Sequence, residues 1–471
     1  MSRLTIPMLA GAALLSGCAA IPDMGPRPNL WAPETLKVAV AKPQTGSAAL
    51  EIDKPWWTRY GDPQLDGLVA QALSQSPSLA EANARLRAAA ARADLSRANT
   101  RPSLTANGQV FETKQSYNAG YPKLFVPKGY QDFGRSSLDL GYDLDLWGRN
   151  RAALAAATSE AQASEADAAQ AKLILTTSLV IAYADFTRVT AELRAAEASV
   201  QNRQASADLV GRQLANGAAN RGEAQQANAA AATARSDLAG LQEQSNLTRN
   251  RIAALVGASP QLGASLVAPI AASSQKFSLP EKVDAELIGR RPDLMAARLR
   301  VEAAARRIDV SRAGFYPNIN LAAYLGVQSL GLDLLSKSGS DIGQAGLALS
   351  LPIFEGGRLQ AGYRGARADY DGAVDAYDQA LVLALKDVAD AIGGARSLAT
   401  QITAAREALA SGEEAYRIAR LRYEGGLSSY LVLLTAENAV IAQRRVVAQL
   451  EARALSLDAS LTRALGGDFR S

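Results

Sequence analysis

Residues 137–149 read SLDLGYDLDLWGR, from Ser137 to Arg149, and they decide how the rest of the chain folds. The even positions are apolar and almost every odd position is polar or glycine, which is the alternation of a β-strand with one apolar face. From Arg149 the chain becomes a proline-free, alanine-rich run with no turn signal until Asn216-Gly217. This run predicts a helix that, at about 1.5 Å per residue, is on the order of 100 Å long. A compact soluble domain cannot bury such a helix.

The composition favours long packed helices and excludes several functions. Hydrophobic residues make up 48% of the 471 residues but aromatics only 6%, so alanine and leucine dominate the apolar content. The 50 basic and 46 acidic residues are interspersed, which predicts no nucleic-acid partner because such binding needs clustered basic residues. The chain has no histidine and one cysteine, which removes imidazole catalysis, histidine metal sites and intrachain disulfides. We predict that the protein is not an enzyme and needs no metal or cofactor.

The N-terminus has the layout of a bacterial lipoprotein signal. A short apolar stretch from Leu4 to Leu15 is too short for a transmembrane helix, and it is followed by Leu15-Ser16-Gly17-Cys18. We predict a signal peptide over 1–17, cleavage before Cys18, and lipidation of the thiol with chains such as palmitate. The alternative is an ordinary signal peptide with an incidental cysteine. By resemblance to bacterial lipoproteins, Ala19 fits outer-membrane sorting. Proline-rich residues 18–62 predict a lipid-anchored tether.

An internal repeat divides the remaining chain into two halves, 63–257 and 291–471, joined by a linker at 258–290. Each half predicts a helix, two strands joined by a loop, a very long helix, a tight turn and another long helix. The strands fall at about 103–147 and 318–353, and the long helices at about 148–256 and 356–465. The repeat rests on these correspondences: Ser76-Pro77-Ser78-Leu79 with Arg291-Pro292-Asp293-Leu294, Ser96-Arg97-Ala98 with Ser311-Arg312-Ala313, Gly148-Arg149 with Gly357-Arg358, Gly217 with Gly426, and Val256-Gly257 with Leu465-Gly466.

The alternating strands predict a transmembrane β-barrel shared between chains. Each is roughly ten residues long, the length of a membrane-crossing strand. Four strands cannot close a barrel and open edges are not viable in lipid, so chains must pool their strands, and three chains give twelve. The polar positions Asp139, Asp143 and Asp145 would then face a water-filled lumen. Amphipathic hairpins packed on soluble helices, with these carboxylates merely solvated, are the alternative. Loops at 120–133 and 331–341 suit the outer end.

Several motifs together resemble one family, the outer membrane factors, in the lipoprotein branch of NodT and OprM related to TolC. The resemblance spans essentially the whole mature chain and implies a homotrimer with a twelve-stranded barrel above a long periplasmic α-helical barrel. It also implies three functional partners: a periplasmic adaptor, an inner-membrane pump of RND or MFS type, and outer-membrane lipid. The cargo would be drugs or other small toxic compounds. The motifs are the lipobox, Trp56-Trp57 before Asp62-Pro63-Gln64-Leu65, Asp145-Leu146-Trp147-Gly148-Arg149, Arg291-Pro292-Asp293-Leu294, Gly314-Phe315-Tyr316-Pro317-Asn318, and Leu351-Pro352-Ile353-Phe354-Glu355-Gly356-Gly357-Arg358.

The same resemblance implies a periplasmic gate at the tips of the long helices. In TolC-like channels a carboxylate on the first tip holds a tyrosine and an arginine on the second. Glu223 and Tyr423 keep two of these positions, whereas Ser428 replaces the arginine, and Val432 and Thr435 replace aspartates just inside. Nearby charges in sequence that could substitute are Arg221, Arg422 and Glu424. The alternative is that these are only solvated turn charges, which contribute almost nothing.

Two other functions stay open at this stage. An outer membrane conduit of a protein secretion system would share the same architecture and differ only in its cargo. A lipid-anchored coiled-coil surface scaffold would share the lipobox and the alanine-rich helices, but it would not need two matched pairs of membrane-length strands.

Overall fold

The computed structural model describes residues 20–31, 55–120, 122–269 and 290–467. Cys18 and the predicted signal peptide lie outside the described residues. The described chain forms two compact units. The sheet unit contains residues within 20–30, 86–164 and 297–377, and the helix unit contains residue 31 and residues within 55–85, 165–296 and 378–467.

The order of elements repeats the same pattern in each half, as the sequence predicts. Two helices precede the β-hairpin in the first half, and one helix precedes it in the second half. In both halves the hairpin is followed by a 67-residue helix and then by a helix about half as long. The elements are α1 (Pro63–Gln75), α2 (Pro77–Ala98), β1 (Ser103–Thr113), β2 (Gln131–Asp143), α3 (Arg149–Ala215), α4 (Arg221–Val256), α5 (Pro260–Ser265), α6 (Pro292–Ala313), β3 (Asn318–Leu330), β4 (Asp341–Ser350), α7 (Arg358–Glu424) and α8 (Tyr430–Ala464).

The four strands form one antiparallel sheet in the order β1-β2-β3-β4. The register places Leu138 opposite Ala106 and Leu325, and places Asp139 opposite Thr105 and Tyr324. Most apolar residues of the four strands therefore share one face and most polar residues the other, although Phe111, Phe133 and Tyr324 lie on the polar face. The apolar face is uncovered, since leucines on it remain about half to two-thirds exposed (Leu104 67%, Leu138 49%, Leu325 68%, Leu347 69%). A face of this kind needs a nonaqueous surrounding.

The end of β2 differs from the sequence prediction. The strand predicted to run from Ser137 to Trp147 instead begins at Gln131 and ends at Asp143. Asp145 has a positive φ of 47°, which ends the strand, and its carboxylate accepts hydrogen bonds from the backbone N–H groups of Asn150 and Arg151, both at 2.9 Å. Asp145 therefore caps the first turn of α3 and is not on a strand. The hairpin loop predicted at 120–133 also shifts, because 131–133 belong to β2.

The helix unit is built around an apolar cluster beside α1. Trp56 and Trp57 enter it from a 3-10 turn, and Leu65, Leu179 and Phe186 are almost completely buried there. Asp62, which precedes Pro63, caps α1 by accepting hydrogen bonds from the N–H groups of Gln64 and Leu65. The Tyr183 hydroxyl donates to the same carboxylate at 2.6 Å. The Trp-Trp and Asp-Pro motifs thus fix α1 against α3.

Two glycines explain why the repeat keeps a glycine after each half. Gly257, with φ 82°, ends α4, and a Cβ there would lie 2.7 Å from the Gln75 carbonyl oxygen. Gly466, with φ 87°, follows α8, and a Cβ there would lie 3.1 Å from the Arg290 carbonyl oxygen. Both glycines have left-handed backbone and lie close to the residue two positions before the next helix, α2 or α6. Glycine alone adopts this conformation in this space without strain.

Two segments predicted as connections are partly fixed to helices. Residues 20–30 of the predicted tether lie against α6 and α7 in the sheet unit: Arg367 donates to the carbonyl oxygens of Gly25 (3.4 Å) and Pro26 (3.1 Å). Residues 32–54 of the tether lie outside the described residues. In the predicted linker 258–290, α5 packs on α4, where a Cβ at Gly263 would be 2.8 Å from the Arg249 carbonyl oxygen.

The most apolar stretch of helix is largely buried, unlike the apolar face of the sheet. Among the described residues, α3 contains a window that is long and apolar enough to cross a membrane, but 67% of that window is buried within the protein. Burial of this extent is typical of a core helix.

Candidate functional site

The polar face of the sheet is one candidate functional surface, within the sheet unit. Asp139 lies on this face, and its Oδ2 accepts hydrogen bonds from Asn107 (2.7 Å) and from the Ser137 hydroxyl (2.8 Å). Asp143 is the last residue of β2, and its carboxylate accepts from the Asp145 N–H (2.9 Å) and the Asn150 amide (3.1 Å). Of the three carboxylates predicted to face the lumen, Asp139 is thus within the strand, Asp143 secures the turn into α3, and Asp145 caps α3.

A separate candidate site, within the helix unit, is the pair of helix tips. At the first tip, Asn220 caps α4 by accepting from the Glu223 N–H at 3.0 Å, while Glu223 Oε2 accepts from the Asn220 N–H at 3.1 Å. This reciprocal pair is a capping box, which satisfies two free backbone donors of the helix. Glu223, the predicted gate carboxylate, is therefore already engaged within its own turn.

Tyr423 joins the two tips, though not through Glu223. Its hydroxyl donates to Gln213 Oε1 at 3.0 Å, and its ring packs edge-on against Tyr430 with centroids 5.8 Å apart. Burial, and then the negative charge of Glu223, raise the pKa of the Tyr423 hydroxyl, so it remains a donor at physiological pH. Within one chain, the hydrogen bond that the family resemblance implies between Glu223 and Tyr423 is not formed, because Gln213 takes the tyrosine.

The other predicted gate charges do not assemble into a network within the chain. Glu424 pairs with Arg420 of its own helix at 3.6 Å. Neither Arg221 nor Arg422 forms an ion pair with another residue that the structure describes. Ser428, which the family resemblance matches to an arginine, has a buried hydroxyl without a hydrogen-bond partner in the described chain. The tips therefore present two uncommitted cations and a capped carboxylate.

Sequence reasoning missed a buried ion pair in the helices that lead to the tips. The side chain of Arg203, on α3, is 8% exposed; its Nε lies 3.5 Å from Glu437 Oε2 on α8, and its Nη2 donates to Asn438 Oδ1. A third contact, from Nη1 to the Ala230 carbonyl oxygen at 3.4 Å, reaches α4. One guanidinium thus links three helices.

A signal for this pair exists in the sequence. Arg203 falls on the buried stripe of α3, in register with Ala196, Ala207 and Val210 at helical spacing. Glu437 falls on the stripe of α8 with Tyr430, Leu433 and Val440. Opposite charges placed on two apolar stripes indicate a buried pair.

Comparison with known proteins identifies the family. The sequence profile of a family described as "Outer membrane efflux protein" matches residues 68–258 and 285–467. The chain belongs to the outer membrane efflux protein family. This family membership confirms the resemblance inferred from the sequence motifs.

Two curated relatives match all or most of the chain. The multidrug resistance outer membrane protein MdtP of Escherichia coli O6:H1 (strain CFT073) is 32% identical over 100% of this chain and 98% of its own length. The fusaric acid resistance protein FusA of Burkholderia cepacia is 33% identical over 78% of this chain and 69% of its own length. This chain, as a member of the same family, is an outer membrane protein of a Gram-negative bacterium.

Solved structures confirm the fold class. The outer membrane protein VceC of Vibrio cholerae matches with a TM-score of 0.82 and 40% identity, over 88% of this chain and 99% of that one. The outer membrane channel OprN matches with a TM-score of 0.82 and 28% identity over 96% of this chain. The predicted architecture, mostly helical with four antiparallel strands per chain, is thus that of outer membrane efflux channels.

Proposed function

We propose that three copies of this chain form one outer membrane channel, with a shared twelve-stranded β-barrel above a periplasmic barrel of helices. The observation that carries this proposal is the four-stranded sheet, which has an uncovered apolar face and a polar face bearing Asp139. Its outer strands β1 and β4 have no partner on one side within the described chain, and such edges are not viable in lipid. Pairing β1 with β4 of the next copy removes every edge and turns the polar face inward.

We propose further that the channel is the outer membrane subunit of a tripartite efflux system. A periplasmic adaptor would join it to an inner-membrane pump of RND or MFS type, and the cargo would be drugs or other small toxic compounds. MdtP and FusA, which are named for multidrug and fusaric acid resistance, support cargo of this class over a secreted protein. A coiled-coil scaffold would leave the matched membrane-length hairpins without a purpose.

The lipid anchor completes the proposal. Acylated Cys18 would hold the N-terminus in the same membrane as the barrel, and because one lipid chain binds only weakly, the barrel supplies most of the membrane attachment. A Cys18→Ala variant should lose metabolic lipid labelling and be less abundant in the outer membrane. Unchanged labelling would contradict the anchor and leave the channel proposal intact.

The resting channel would be closed at the helix tips. Tyr423 and Gln213 tie the two tips of one chain together, and Glu223 would meet Arg221 or Arg422 of a neighbouring copy across the axis, with Glu424 nearby. Charge-assisted hydrogen bonds at a partly desolvated constriction contribute about 1.5–3 kcal/mol each. Adaptor docking would break these contacts and open the passage.

The channel proposal is tested by light scattering and conductance on the purified full chain. We expect a trimer in detergent and discrete single-channel steps in a planar bilayer. Deleting the gene should sensitise cells to a panel of toxic compounds. A monodisperse monomer that keeps its strand signal, or a trimer that inserts without conducting, would contradict the shared barrel.

A further inference from the structure

A groove of about 520 Å³ lies in the sheet unit where β2 leads into α3 and α6 leads into β3. None of the proposed lumen or gate residues lines it. Its lining combines stacked aromatic rings with basic side chains and one carboxylate: Trp147, Arg151, Arg306, Asp309, Arg312 and Tyr316.

The aromatic wall of the groove is rigid and half exposed. Trp147 stacks on Tyr316 with ring centroids 4.8 Å apart and an interplanar angle of 20°. Its indole N–H donates to the Pro317 carbonyl oxygen at 2.7 Å, yet 51% of the residue is exposed. Trp and Tyr at the end of a membrane strand are typical of the interface, where lipid headgroups lie.

The basic wall carries an uncommitted cation. Arg151 pairs with Asp145 at 3.3 Å, and Arg306 approaches Asp309 at 3.7 Å. The side chain of Arg312 forms no ion pair or hydrogen bond with any residue that the structure describes. Three arginines face one lining carboxylate, so the groove favours an anion, and the planar guanidinium suits phosphate in particular.

The position of the groove also favours lipid. It lies at the ends of β2 and β3, the two central strands, and therefore away from the edges through which copies would pair. Arg27 of the N-terminal segment contacts Asp309 at 3.8 Å, and Ile21 packs in the cluster of Phe315, next to Tyr316. The described N-terminal segment, which follows the proposed lipid anchor in sequence, therefore lies beside the groove.

We propose that this groove binds the headgroup phosphate of an anionic phospholipid in the inner leaflet of the outer membrane. Arg312 holds the phosphate, Arg306 and Arg151 flank it, and Trp147 with Tyr316 packs against the glycerol region. The proposal rests on the membrane placement in the proposed function. The bound lipid would fix the depth of the strand-to-helix junction in the membrane.

The internal repeat supplies a matched control. Arg97 is the repeat counterpart of Arg312, but it is already paired with Asp94 at 2.6 Å. The counterpart of Trp147 is Gly356 and that of Tyr316 is Arg101, so the second junction lacks this pair of stacked rings. Arg97→Gln removes the same charge from the same end of the corresponding helix, and it should leave lipid binding unchanged.

The experiment is native mass spectrometry of the delipidated full-length trimer titrated with phosphatidylglycerol or phosphatidylcholine. We expect wild type to retain up to three phosphatidylglycerols, one per chain, in preference to phosphatidylcholine. Arg312→Gln should weaken this binding at least about tenfold, because a charge-assisted hydrogen bond commonly contributes that factor or more. Circular dichroism and trimer mass confirm that both variants fold.

Each remaining outcome decides the question. No preference for phosphatidylglycerol, or equal losses in Arg312→Gln and Arg97→Gln, would overturn the site. Displacement of the lipid by millimolar inorganic phosphate would show a site for soluble phosphate and would overturn the lipid assignment. Single-channel conductance is recorded on the same wild-type sample: conduction without lipid preference rejects only the groove, whereas a trimer that does not conduct rejects the proposed function.

Discussion

The two halves of the chain share their order of elements but differ in a small set of side chains. Both keep a left-handed glycine at the end of the last long helix, Gly257 and Gly466, against the start of a short helix. By contrast, several charged or aromatic residues of one half are replaced in the other half by an uncharged, non-aromatic residue. The pairs are Arg203 with Gly412, Glu437 with Asn228, Trp147 with Gly356, and Tyr423 with Leu214. Residues that both halves share are required by the fold. Residues that only one half carries mark positions where the two halves have separate roles.

The largest difference between the halves is expected at the buried ion pair. Arg203→Ala would leave Glu437 buried without its cation, which commonly costs about 3–5 kcal/mol. Gly412→Ala, at the counterpart, should instead stabilise by about 0.5–1 kcal/mol, because glycine is a poor helix former and the new Cβ would meet only Val440 Cγ2 at an ordinary 3.8 Å. Thermal unfolding of the two variants in detergent, followed by circular dichroism, measures the contrast.

The pH dependence of Arg203→Ala provides a second test of the same pair. Burial raises the pKa of the Glu437 carboxyl, while Arg203 lowers it, so removing Arg203 raises this pKa further. A carboxyl whose pKa is higher in the folded than in the unfolded state destabilises the fold once it ionises, so the variant should regain stability as pH falls through the folded pKa. A deficit that is independent of pH would indicate lost packing and not an unpaired charge.

The next largest effect is expected at the shared glycines. Gly257→Ala places a Cβ 2.7 Å from a backbone oxygen at φ 82°, whereas Gly466→Ala places one at 3.1 Å and φ 87°. The left-handed backbone costs about 1–2 kcal/mol in either variant, and the closer contact should bring Gly257→Ala to about 2–4 kcal/mol. Trimer melting temperatures of the two variants should fall in this order. Equal losses would mean that the backbone conformation alone, and not the contact, requires glycine.

These glycines show why so much of the fold is predictable from the sequence. Glycine turns and the two-residue alternation of strands are local signals, and the turn signal at Asn216-Gly217 gives the end of α3 directly. The end of β2 was predicted wrongly because Asp145 continues the alternation of the strand, while its actual role depends on contacts with Asn150 and Arg151 in the next helix. A periodic pattern does not reveal such a competing hydrogen-bond partner.

The helix tips should show a moderate effect that separates two interpretations of Glu223. If Tyr423 closes the channel through Gln213, Tyr423→Phe should raise single-channel conductance, because one hydrogen bond worth about 0.5–1.5 kcal/mol is lost. Glu223→Gln keeps the capping box and removes only the charge. Raised conductance in Glu223→Gln would show that the charge holds the gate across chains, whereas wild-type conductance would restrict Glu223 to its capping role.

The candidate site was harder to predict than the fold for a physical reason. Position matching assigned Glu223 and Tyr423 to one gate, yet a side chain bonds whichever partner is near, and Gln213 is 3.0 Å from the tyrosine hydroxyl. Arg203 and Glu437 were not predicted because they lie on different helices that are far apart in sequence. Pairings between distant segments depend on tertiary packing, which no local pattern specifies.

The smallest expected difference lies in how the two tips begin their second helix. Asn220 accepts from the Glu223 N–H and starts α4 with a capping box, whereas its counterpart Ser429 makes no side-chain cap at the start of α8. Asn220→Ala should therefore destabilise its tip by about 1 kcal/mol, while Ser429→Ala should change stability by only a few tenths. Because both turns are exposed, hydrogen exchange of the first-turn amides is the suitable measurement, and it should speed up in α4 for Asn220→Ala and stay unchanged in α8 for Ser429→Ala. Faster exchange in α8 would mean that Ser429 caps its helix after all, and that the two tips are equivalent at this position.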